Sequence, residues 1–114
     1  MHIINQNRGK FLATNGRLAN TFWLRLRGLL GKHSLKEGEG LVLVGEKSIH
    51  TLFMKFPIDV LYIDKSYQVI RTEESMVPYR LGPFVTQSAY VVEVPVGTIV
   101  ATDTRVGDQL KFEE

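Results

Sequence analysis

The sequence predicts a β-dominated α+β fold: a strongly bent antiparallel sheet or small barrel, with one helix over about residues 22–30 packed against it. Two observations carry this. Turn-forming residues recur at Asn15-Gly16, Gly38-Glu39-Gly40, Pro57, Asp64-Lys65-Ser66, Gly82-Pro83, Pro95, Gly97 and Gly107-Asp108. Short segments between such signals, about ten residues apart, are the mark of a sandwich or barrel. Only one stretch, Phe22 to Leu30, sets its apolar residues at helical spacing. With 114 residues and no repeat, linker or low-complexity segment, residues 1–114 are expected to form a single domain.

Taken in order, Ile3-Ile4 and Lys10 to Ala13 read as an opening strand pair. Thr21 can cap the helix by accepting a hydrogen bond from an early backbone N–H. Phe22, Trp23, Leu26, Leu29 and Leu30 then fall on one face, with Arg25 and Arg27 at its two margins. Gly31 is the expected stop, since glycine takes the left-handed conformation that ends many helices. Leu41 to Val44 is a continuous apolar run, as in a strand buried on both faces. Strands are expected at Ile49–Met54, Ile58–Ile63 and Tyr67–Thr72, the last two joined by a hairpin turn at Asp64-Lys65-Ser66. Ala89–Val94, Thr98–Thr102 and Gln109–Phe112 complete the set. Glu73 to Ser88 has no clear period and holds two prolines, so it is expected to be a long loop of the kind that often carries function.

Composition narrows the function. Hydrophobic residues make up 44% and charged residues 23%, ordinary for a chain that folds around a core. The net charge is +2 and the basic residues are scattered, which argues against nucleic acid, whose binding needs a basic stripe. The absence of cysteine excludes disulfides, thiolate catalysis and cysteine–zinc sites. Residues 1–8 lack the apolar core of a signal peptide, and no apolar run approaches the ~20 residues that span a bilayer. A soluble, cytoplasmic protein with no membrane partner is expected.

Three polar residues break the apolar alternation. Strand side chains alternate between faces, so His50 shares a face with Leu52 and Met54, Asp59 with Leu61 and Ile63, and Glu93 with Ala89 and Val91. A buried carboxylate is costly unless it is paired or hydrogen-bonded. The basic residues available are His50, Arg25, Arg27, Lys55 and Arg80. One reading is a structural cluster; Asp59, just after Pro57-Ile58 at a strand start, can bond backbone N–H groups. The other is a site in which His50 acts as base or anchor and the carboxylates orient it. His50, Asp59 and Glu93 are accordingly the candidate catalytic residues, and Arg25, Arg27, Tyr79 and Arg80 the candidate ligand-binding residues. No phosphate-binding loop, dinucleotide fingerprint or nucleophile elbow is present. His2, His33 and His50 lack metal-ligand spacing, so neither a metal nor another cofactor is expected.

The run Ser48-Ile49-His50-Thr51-Leu52-Phe53-Met54-Lys55-Phe56-Pro57-Ile58-Asp59 resembles the His-Thr-x-Phe-Met-[Arg/Lys]-Phe-Pro-Ile-Asp signature of the domain of unknown function 192 family. Arg25-Leu26-Arg27-Gly28-Leu29-Leu30-Gly31, Gly40 to Val44, Pro78-Tyr79-Arg80, Glu93-Val94-Pro95-Val96-Gly97 and Gly107-Asp108 are similar to its other blocks, in order. Two departures stand out. Glu46-Lys47 replaces a cysteine found in many relatives, and Tyr79 replaces a tryptophan. The resemblance implies no activity, but it picks out His50, Asp59, Arg80 and Glu93. The expected function is a small binding module with a polar pocket built around His50, Asp59 and Glu93, its partner a small polar ligand or a protein. The alternatives are a hydrolase-like enzyme using His50 with Asp59 or Glu93, and a structural or interaction subunit.

Overall fold

The computed structural model of the chain describes residues 1–19, 35–48, 56–77 and 81–114. Among the described residues the strands are β1 (His2–Asn5), β2 (Lys10–Ala13), β3 (Asn15–Ala19), β4 (Glu39–Val44), β5 (Ile58–Ile63), β6 (Val69–Met76), β7 (Tyr90–Pro95) and β8 (Leu110–Glu113), with a helix, α1 (Thr98–Thr102), between the last two. They form a three-stranded sheet of order β2-β1-β8 and a five-stranded sheet of order β3-β4-β7-β5-β6. Every pairing is antiparallel except that of β3 with β4. The fold is thus β-dominated α+β, but the sheets do not close into a barrel.

The larger sheet buries both faces. Ile3, Leu12, Val42, Leu61, Val92 and Leu110 belong to a first core that draws on both sheets. Leu41, Leu43, Ile58, Val60, Tyr62 and Val91 form a second core on the opposite face. Leu41 and Val42, adjacent in sequence, sit in different cores, which is why β4 reads as an unbroken apolar run. The sheets approach closely at Gly40, where an added Cβ would lie 3.0 Å from the Ala13 Cβ and 3.5 Å from a Val94 methyl.

Several expected elements hold. β1 and β2 pair, β5 spans Ile58–Ile63, and β5 and β6 are joined at Asp64-Lys65-Ser66. There the Asp64 carboxylate accepts the N–H groups of Ser66 and Gln68, both at 2.9 Å. Other expectations are corrected. Thr98–Thr102, rich in β-branched residues and expected to be a strand, is helical. Gly97 turns the chain with φ of 95°, and Thr102 Oγ1 donates to the Thr98 carbonyl at 2.7 Å, so local and tertiary bonds override strand propensity. Asn15-Gly16, expected to be a turn, opens β3. The loop expected from Glu73 begins later, because β6 continues to Met76 past an irregularity at Ser75, whose φ is 53°. The helix expected over residues 22–30 and the strand expected over Ile49–Met54 lie outside the described residues.

Candidate functional site

β5 and β7 lie side by side at the middle of the five-stranded sheet, with Asp59 opposite Val94 and Val60 opposite Glu93. The two carboxyl groups are therefore one residue out of step and point to opposite faces. Asp59 faces the first core with Leu61 and Ile63, and Glu93 faces the second with Val91. Both are buried, at 1% and 3% exposure, as the alternation predicts. They are not brought into one pocket.

Asp59 is fully engaged by backbone. Its Oδ1 accepts the Ser75 N–H at 2.9 Å, and its Oδ2 accepts those of Gly97 at 3.2 Å and Ile99 at 3.0 Å. The first bond secures the irregular residue of β6, and the other two secure the start of α1. This is the structural reading anticipated for a strand-start aspartate, and no arginine among the described residues bonds it.

Glu93 is the opposite case. Its strand neighbours in register are Leu41 on β4 and Val60 on β5. Among the described residues no group donates to its carboxyl, and Oε2 is a buried oxygen without a hydrogen-bond partner. Burial alone pushes its pKa up from 4.5 to about 8, so it is held as the neutral acid at pH 7. On the same face Tyr62 donates its phenol to the Pro83 carbonyl at 3.1 Å. Burial and then the Glu73 charge raise that phenol to about 12, against the opposing pull of Arg71.

His50, Arg25, Arg27, Tyr79 and Arg80 lie outside the described residues. Sequence reasoning missed a second buried polar cluster. Asn5 Nδ2 donates to Thr104 Oγ1 at 3.0 Å and to Asp108 Oδ2 at 2.9 Å, and Arg8 makes a two-pronged contact with Asp108 at 3.0 and 3.1 Å. The only trace in the sequence was the Gly107-Asp108 turn signal. Burial pushes the Asp108 carboxyl up, but hydrogen bonds from Asn5, the Arg105 N–H and Arg8, with the Arg8 charge, hold it below its usual value. Every polar side chain in this cluster is hydrogen-bonded, so it serves to fasten β1 and the turn after it to the segment before β8. A cavity of about 550 Å³ also opens at the end of the larger sheet, beside Lys47, Lys65 and Gln87. Lys47 already donates there to the Thr86 and Ser88 carbonyls, at 2.7 and 2.9 Å. Neither Asp59 nor Glu93 lines it.

Comparison with known proteins places this geometry. The model of the domain of unknown function 192 family, described as an uncharacterized ACR, matches residues 3–112. The chain belongs to this family. Curated members similar to it are UPF0127 proteins. That of Thermococcus sibiricus is 30% identical, over 97% of this chain and 74% of the relative. That of Thermococcus kodakarensis is 32% identical, over 96% and 72%. Among solved structures, a Novosphingobium aromaticivorans protein of unknown function superposes with a TM-score of 0.84 at 17% identity, over 97% of this chain and 82% of that one. A Sinorhizobium meliloti protein superposes with a TM-score of 0.80 at 22% identity, over 96% and 89%. At those identities the likeness is one of fold. The function of the domain of unknown function 192 family is uncharacterised.

Proposed function

We propose that this chain is a small single-domain binding module whose recognition group is the carboxyl of Glu93. The observation that carries the proposal is a buried carboxyl oxygen with no hydrogen-bond partner among the described residues, set between Leu41 and Val60. Native interiors leave few polar atoms unpaired, because each costs about 1–3 kcal/mol. A ligand that bonds Glu93 removes that cost. The preferred partner is thus a small polar ligand, not a protein surface. Asp59 serves by fixing β5, the strand beside Glu93. His50, Arg25, Arg27, Tyr79 and Arg80 stay in the proposal as ligand contacts on the strength of the sequence. A cytoplasmic location belongs to it on the same footing, and cell fractionation checks it.

Thermal denaturation with a library of small polar compounds tests the role of Glu93. A ligand at a hundred times its Kd stabilises a folded protein by about 2.7 kcal/mol. Some compounds should raise the Tm of the wild type and leave Glu93→Leu unmoved. If every stabilising compound acts equally on both proteins, or none acts, Glu93 is not the recognition group.

A further inference from the structure

We infer that the ligand offers Glu93 the edge of a neutral amide or lactam, a carbonyl beside an N–H. This rests on Glu93 being the recognition group and adds the chemical class of what it recognises.

The surroundings of the carboxyl decide the class. Across the sheet its row runs Arg17, Leu41, Glu93, Val60, Glu73, from β3 to β6. Both immediate neighbours are aliphatic. The row's two charged residues, Arg17 and Glu73, stand two strands away on either side, about 10 Å at the usual strand spacing. Glu73 is already held by Arg71, at 2.8 Å. Along β7, Val91 lies on the same face. Nothing in the row solvates a charge.

Three ligand classes can be weighed. An amine or guanidinium would require Glu93 to ionise, burying an ion pair that aliphatic neighbours cannot solvate; such pairs gain little over neutral contacts. An acetate-like anion only accepts hydrogen bonds, so it would meet the O–H of Glu93 and leave the carbonyl oxygen of the same carboxyl unmet. A neutral carboxyl instead offers one O–H donor and one carbonyl acceptor. An amide edge meets both, the O–H donating to the amide carbonyl and the amide N–H donating to the carboxyl oxygen. No charge is buried and the orphaned oxygen is satisfied. The raised pKa of Glu93 agrees with this, since the acid form dominates at pH 7.

Glutamine also carries one carbonyl and an N–H donor, so Glu93→Gln separates the classes. NMR titrations at pH 7 would use acetamide and 2-pyrrolidone as amide probes, methylamine and guanidine as cations, and acetate as an anion. The amides should bind the wild type and Glu93→Gln with similar affinity, while Glu93→Leu weakens them by about tenfold or more, one or two lost hydrogen bonds. If cations or acetate prefer the wild type to Glu93→Leu and amides do not, the amide class is overturned while Glu93 remains the recognition group. If Glu93→Leu titrates like the wild type with every probe, both fall, and saturation by no probe also overturns the inference. Should Glu93→Leu fail to fold, the wild type and Glu93→Gln still decide: amide binding lost in Glu93→Gln counts against the amide class.

Discussion

At Glu93 the folded chain holds a proton that the unfolded chain releases above about pH 4.5. Its folded pKa is raised, so the stabilising contribution is complete below the unfolded value and is lost as pH climbs towards about 8. At about 1.4 kcal/mol per pH unit, that interval amounts to about 5 kcal/mol. Urea denaturation from pH 5 to pH 9 should show the wild type weakening by about this amount relative to Glu93→Gln, which has no proton to lose. Parallel profiles for the two proteins would mean that Glu93 is not held neutral. Asp108 works in the other direction: its depressed pKa gives stability that is present above the unfolded value of 3.8 and fades as pH falls. The burial of Asp59 and Glu93 was legible in the sequence, because alternation along one strand identifies apolar company. That they occupy different faces was not. Alternation gives no register between strands, and here Asp59 stands opposite Val94 instead of Glu93.

β5, β6 and α1 meet at one carboxylate. Because Asp59 Oδ1 serves Ser75 and Oδ2 serves Gly97 and Ile99, an asparagine there has an oxygen for only one side and turns an NH2 towards the other. Asp59→Asn should therefore cost about 1–3 kcal/mol in urea denaturation, the range for leaving buried donors unmet. It should also speed amide hydrogen exchange at either Ser75 or Ile99. Unchanged exchange at both would mean the three elements hold their places without it. The same bonds explain where element prediction failed. Thr98–Thr102 has a strand-like composition, and the contacts that make it helical come from Asp59, about forty positions earlier. The irregularity at Ser75 breaks the two-residue period of β6, so the sequence pattern dissolves before the strand does. β3 begins at Asn15-Gly16, a pair that signals a turn elsewhere. Gly16 is needed there because a Cβ would lie 3.1 Å from the Met1 carbonyl oxygen. β1, β4 and β5, with clean apolar patterns, were legible.

The two sheets are held at a distance set by Gly40. A methyl group there would press on Ala13, whose own Cβ has no freedom to turn away. Gly40→Ala should cost about 1–3 kcal/mol, the usual penalty for overpacking, read as a fall in the urea midpoint; an unchanged midpoint would show that the sheets can part without loss. The sheets are also laced together by backbone bonds, from Val69 N–H to the Asp108 carbonyl at 2.8 Å and from Leu110 N–H to the Tyr67 carbonyl at 2.8 Å. The smaller sheet pairs strands about a hundred residues apart, with His2 opposite Glu113 and Asn5 opposite Leu110. That pairing governs the order of events during synthesis. The β1–β2 hairpin leaves the ribosome about a hundred residues ahead of its partner β8 and waits for it. Through that interval one side of β1 offers unpaired N–H and carbonyl groups, an edge open to strands of other nascent chains. The hazard closes only when β8 emerges.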